Sequence, residues 1–113
     1  MSISTHVLDT MRGSPAAGLA VTLSLREPDG DWRVVGEAVT DAEGRVRELA
    51  EGDLDGGEYR LQFSTRIYFE RSGLSVFYPE VSVVFSLDDP SQHVHVPLLL
   101  SPYGYTTYKG TQG

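Results

Sequence analysis

The chain predicts an all-β sandwich of two four-stranded antiparallel sheets with one short helix. Three observations lead to that class. Apolar and polar side chains alternate with a period of two over most of the length. Turn signals built from Gly, Pro and Asp recur at short, regular intervals. The alternation fails in only one segment, 67–74, where a short helix is expected.

Taken in order, residues 3–9 alternate around His6 and form the first strand. After a turn over 12–15, Leu19, Val21, Leu23 and Leu25 share one face, with Ala20, Thr22 and Ser24 opposite, which sets a strand at 19–26. Pro28-Asp29-Gly30 turns the chain into a strand at 32–39, and the turn over 41–44 leads into a shorter one at 45–49. The Gly- and Asp-rich stretch 53–57 precedes a strand at 58–65, where Tyr59, Leu61 and Phe63 alternate with Arg60, Gln62 and Ser64. Val81, Val83, Phe85 and Leu87 mark the strand at 80–87, and Asp88-Asp89-Pro90 closes it. The last two strands fall at 92–99 and 103–108. No repeat or linker divides the sequence, so residues 1–113 are expected to form a single domain, close to the usual domain size.

Composition narrows the partners. Sixteen acidic residues against nine basic ones leave a net charge of −7, a field that repels nucleic acid. With no cysteine, thiolate nucleophiles and disulfides are excluded, which agrees with a reducing compartment. No apolar run approaches the roughly 20 residues of a membrane span, and the start lacks the layout of a signal peptide. The expectation is a cytoplasmic protein that binds neither membrane nor nucleic acid.

Against this acidic background, the stretch from His93 to Thr111 gathers two of the three histidines, the only lysine and many hydroxyls. On its strand His93, His95 and Pro97 point one way and Val94, Val96 and Leu98 the other, so one face is polar and one is core. On the first strand His6 shares a face with Ser4 and Leu8. Histidine titrates near neutrality and suits acid–base work, although an isolated histidine is more often structural. Arg45, with Arg47 on the same face, offers either a donor fork for a carbonyl or an exposed salt bridge to the many acids. Tyr108, Lys109 and Thr111 form a third polar cluster, whose alternative is a frayed tail. His93 and His95 look like half of a metal site, but no carboxylate neighbour completes it and no metal is assigned.

Five blocks then carry a resemblance: Ser4-Thr5-His6-Val7-Leu8-Asp9-Thr10, Gly13-Ser14-Pro15-Ala16, Glu43-Gly44-Arg45, Phe77-Tyr78-Pro79-Glu80-Val81, and His95 through Thr111. In sequence and order these resemble the 5-hydroxyisourate hydrolases, transthyretin-related enzymes of urate breakdown. The resemblance implies a transthyretin-like (prealbumin-like) sandwich, no cofactor, and a homotetramer with its sites at the dimer–dimer interface. It implies hydrolysis of 5-hydroxyisourate to 2-oxo-4-hydroxy-4-carboxy-5-ureidoimidazoline, with His6, Arg45 and His95 catalytic. Tyr108, Lys109 and Thr111 match the family's substrate-binding Tyr-Arg-Gly-Ser signature, with Lys109 and Thr111 replacing its Arg and Ser. It also implies that the fourth, first, seventh and eighth strands are neighbours. The competing expectations are a transthyretin-type carrier of a small ligand, without catalysis, and a noncatalytic sandwich module.

Overall fold

A computed structural model describes residues 2–50 and 54–111. Its elements are β1 (Ile3–Asp9), β2 (Ser14–Pro15), β3 (Ala20–Arg26), β4 (Trp32–Val39), β5 (Arg45–Val46), β6 (Gly57–Phe63), α1 (Thr65–Glu70), β7 (Val81–Leu87), β8 (Val94–Ser101) and β9 (Gly104–Thr107). They form two sheets. One runs β2-β1-β8-β9, with β5 also paired to β1, and the other runs β4-β3-β6-β7.

The alternation read from the sequence places the core between the sheets. Val21, Leu23, Tyr59, Leu61 and Phe63 of the second sheet pack against Ile3, Val7, Val96, Leu98 and Leu100 of the first, all of them buried. Each fully buried aliphatic or aromatic side chain here contributes roughly 1.5–3 kcal/mol relative to exposure. The helix α1 seals one end, with Tyr68 and Phe69 buried. Its anchor is Asp9, a fully buried carboxylate that accepts hydrogen bonds from the Tyr68 hydroxyl at 2.9 Å and from the Met11 and Arg12 backbone N–H groups, each at 3.1 Å. With both oxygens engaged, the carboxylate is buried at a tolerable cost. Burial and the bond to Asp9 push the Tyr68 phenol up to about 12.

The sandwich, the short helix and the order β5-β1-β8-β9 agree with expectation. Four details differ. The first sheet is not wholly antiparallel, because β1 and β8 run parallel, Ile3 opposite Val94 through Asp9 opposite Leu100. Alternation reports which face a residue takes but carries no information on strand direction. Residues 14–15, expected within a turn, pair with Leu8 and Asp9 as a fifth strand. The strand expected at 45–49 stops at Val46, since the chain bends so that the Leu49 N–H donates to the Ile3 carbonyl at 3.0 Å and Leu49 enters the core. The helix begins at Thr65, two residues earlier than expected, where the Thr65 hydroxyl donates to the Tyr78 carbonyl at 2.6 Å. The ends of the expected domain, residue 1 and residues 112–113, and the beginning of the turn over 53–57 lie outside the described residues.

Candidate active site

The outward face of the first sheet carries the polar residues singled out in the sequence. Pairing of β5 with β1 sets Arg45 directly opposite His6, and pairing of β1 with β8 sets Ser4 opposite His95 and His6 opposite Pro97. Three strands distant in sequence thus deliver one arginine and two histidines to adjoining positions. His6, His95, Pro97, Tyr108 and Thr111 line an open cleft of about 210 Å3, floored by Leu8 and Leu99.

Each member is held by local chemistry. Arg45 follows a turn organised by Asp41, whose carboxylate accepts from the Glu43 N–H at 2.8 Å and the Arg45 N–H at 3.0 Å. These two bonds hold the Asp41 carboxyl below its ordinary range. Gly44 is required at the turn: its φ is +76°, and a Cβ would lie 2.4 Å from the Val7 carbonyl oxygen. The turn also fixes His6, because the Glu43 carbonyl can only accept, so His6 Nε2 carries the proton of their 2.8 Å bond. His95 is buried, and its Nδ1 lies 2.8 Å from the Ser4 hydroxyl. Burial first, then the positive charge of Arg45 and the neighbouring His6 and His93, push the His95 imidazole below its ordinary value of 6.5. Near neutral pH it is therefore an uncharged base.

The tail is docked against the site. The Gly110 N–H donates to the His95 carbonyl at 2.8 Å, and the Thr107 hydroxyl donates to the Pro97 carbonyl at 2.7 Å. The approach is close enough that a Cβ on Gly110 would sit 2.6 Å from His95 Cδ2. Tyr108 and Thr111 reach the cleft, but Lys109 does not: it borders a second, more apolar cavity of about 440 Å3 between β7 and β8, which Tyr108 also touches. Arg47, expected on the Arg45 face, is exposed and pairs with Glu43 at 3.5 Å. The two ring nitrogens of His93 lie 2.6 Å from the Ser2 hydroxyl and 3.0 Å from the Ser4 hydroxyl. Ser2, Ser4 and Gly110 were not singled out from the sequence. Parity on the first strand placed Ser4 beside His6, but only the parallel register brings it to His95.

A transthyretin-like sandwich with a cleft lined by two histidines on one outward sheet face, and an arginine paired opposite one of them, defines a small-molecule site equipped for acid–base chemistry. The family model described as the HIUase/Transthyretin family matches residues 3–110, and the chain belongs to that family. The 5-hydroxyisourate hydrolase of Caulobacter vibrioides is 45% identical over 114 residues, covering 96% of this chain and 97% of its own. Among solved structures, the 5-hydroxyisourate hydrolase of Klebsiella pneumoniae superposes with a TM-score of 0.87 at 32% identity, covering 98% of this chain and 100% of its own. Sea bream transthyretin in complex with thyroxine superposes with a TM-score of 0.91 at 31% identity, covering 100% of this chain and 98% of its own. Backbone similarity therefore does not separate enzyme from carrier.

Proposed function

We propose that the protein hydrolyses 5-hydroxyisourate, opening its six-membered ring to 2-oxo-4-hydroxy-4-carboxy-5-ureidoimidazoline. The observation that carries this reading is a cleft lined by His6 and an uncharged His95, with Arg45 paired opposite His6 on the neighbouring strand, which a carrier of an apolar ligand does not need. His95 Nε2, left open once Nδ1 bonds Ser4, takes a proton from water as its oxygen adds to the scissile amide carbonyl. The guanidinium of Arg45 stabilises the negative charge that develops on the carbonyl oxygen. Collapse of the tetrahedral intermediate breaks the C–N bond, and the proton on His95 passes to the departing ring nitrogen. His6, held by Glu43, orients water and substrate from the other side. Tyr108 and Thr111 hold the heteroatoms of the ring, while Lys109, off the cleft, contributes positive charge. No step calls for a cofactor.

The direct test is a spectrophotometric assay with freshly generated 5-hydroxyisourate. Accelerated decay proportional to protein concentration supports the reading. Decay at the uncatalysed rate, together with tight binding of a thyroxine-like ligand, supports the carrier instead.

The active form is a homotetramer with its sites at the dimer–dimer interface. The support is that β7 and β9 each end a sheet with one unpaired edge, and that Phe77, Val84, Tyr103 and Tyr105 are exposed near them. Native mass measurement giving an active monomer would refute it. The working compartment is the cytoplasm, in keeping with a chain that has no cysteine, and cell fractionation tests this.

A further inference from the structure

His93 has no part in the chemistry above, yet it is wired to it. The hydroxyl of Ser4 is buried between two imidazoles, 3.0 Å from His93 Nε2 and 2.8 Å from His95 Nδ1. A hydroxyl has one proton, so it can donate to one imidazole only and must accept from the other. Two arrangements satisfy the chain. In one, His93 donates to Ser4, Ser4 donates to His95 Nδ1, and His95 presents Nε2–H to the cleft. In the other, His95 Nδ1–H donates to Ser4, Ser4 donates to His93 Nε2, and His93 Nδ1–H donates to Ser2, 2.6 Å away. The second turns a lone pair on His95 Nε2 toward the cleft, which His6 also lines. A base that takes a proton from water at Nε2 requires this second arrangement.

We propose that Ser4 and His93 form a proton relay for His95, in which His93 is the positioning residue that sets the His95 tautomer and carries its positive charge during the reaction. This rests on His95 being the base in the proposed hydrolysis. As the O–H bond of water breaks and its proton joins His95 Nε2, the proton on Nδ1 moves to Ser4 and the Ser4 proton moves to His93 Nε2. His95 is left neutral with Nε2–H, and His93 becomes an imidazolium. The charge has moved from a buried ring beside Arg45 to an exposed ring in contact with water, a transfer favoured by hydration and by relief of repulsion. When the ring C–N bond breaks, Nε2–H protonates the leaving nitrogen and the two other protons return. The resting state is restored with no proton unaccounted for. The groups that face His95 are His6 from β1, Arg45 from β5, His93 from the approach to β8, and Tyr108 from the tail.

The test uses the full chain and three variants, His93→Ala, Ser4→Ala and the double variant, with Ser4→Thr as the hydroxyl-retaining control. His93 is exposed, so its removal leaves the core intact. Each single variant is expected to lower kcat at least about tenfold, short of the roughly 100- to 10,000-fold of a whole general acid–base contribution, with KM unchanged because neither residue lines the cleft. The double variant should be no slower than the worse single one, since both cut the same wire. Ser4→Thr should keep most of the wild-type rate. Independently of any substrate, 15N NMR should show His95 protonated on Nδ1 in the wild type and shifted toward Nε2–H in His93→Ala. Wild-type kcat in His93→Ala, losses that multiply in the double variant, or an unchanged His95 tautomer would each overturn the relay. Should the wild type fail to turn over 5-hydroxyisourate, the hydrolase reading falls, and the NMR result still decides whether His93 controls His95.

Discussion

Replacing Gly110 with Ala probes the site through a single methyl group. The added Cβ would start 2.6 Å from His95 Cδ2, 3.1 Å from Pro97 Cγ and 3.2 Å from the His95 carbonyl oxygen. Ordinary contact begins at 3.4 Å, so either the tail or the imidazole must retreat by about 0.8 Å. Neither movement is neutral. Retreat of the tail breaks the 2.8 Å bond from the Gly110 N–H to the His95 carbonyl, a loss of about 1 kcal/mol, and carries Tyr108 and Thr111 away from the cleft. Retreat of the ring displaces the base itself, and a misplacement of about 1 Å costs on the order of 100-fold in rate. Because the core is complete without the tail, the melting temperature should change by only a few degrees. The assay is kcat/KM for 5-hydroxyisourate beside a thermal melt of the same preparation. A Gly110→Ala protein that melts normally and retains more than half the wild-type kcat/KM would refute the claim that the tail positions the chemistry.

Other outcomes follow from the same geometry. Arg45→Ala and His6→Ala should each lose most of the turnover while remaining folded; near-normal rates in the assay would remove the assigned role. Activity should rise with pH along an acid limb whose midpoint lies below 6.5, because the base must be neutral, and Arg45→Ala should move that midpoint upward. The same depression makes the unfolded chain bind a proton more readily than the native one, so His95's contribution to stability is present above 6.5 and is lost as pH falls toward the folded value, which melts across that window would show. Tyr68→Phe removes the 2.9 Å bond to buried Asp9 and should lower stability by about 1–3 kcal/mol in urea unfolding, with the rate per folded molecule unchanged. Dialysis against a strong chelator should leave turnover intact, and loss restored by zinc would reassign the histidines.

Much of this architecture is legible in the alternation of side chains. The faces of β1, β3, β6 and β8 follow from parity alone, and so does the separation of His6 and His95 from the core. What parity leaves out is pairing between distant segments. That Ser4 lies against His95, or that Gly110 returns to bridge His95, depends on a parallel register and a docked tail with no local signature. Lys109 illustrates the converse. Its charge and its place in a polar run drew attention, but the extended tail carries its side chain to another cavity. Arg45 could be read two ways until β5 paired with β1 and put it beside His6.

The parallel pairing of β1 with β8 also has a temporal meaning. Ser4 and His95 are separated by 91 positions, and the tail that bridges to His95 follows them both. During synthesis at about 5–20 residues per second, β1 emerges seconds before its central partner exists. Its apolar residues must wait, solvated or held by a chaperone, until β8 has been made. A product that stops before β8 therefore cannot possess a partial activity: the cleft comes into being only when β1 meets β8 and the segment that follows it. Such dependence on long-range closure makes folding slow for a chain of this size and links the appearance of catalysis to the arrival of β8 and the segment after it.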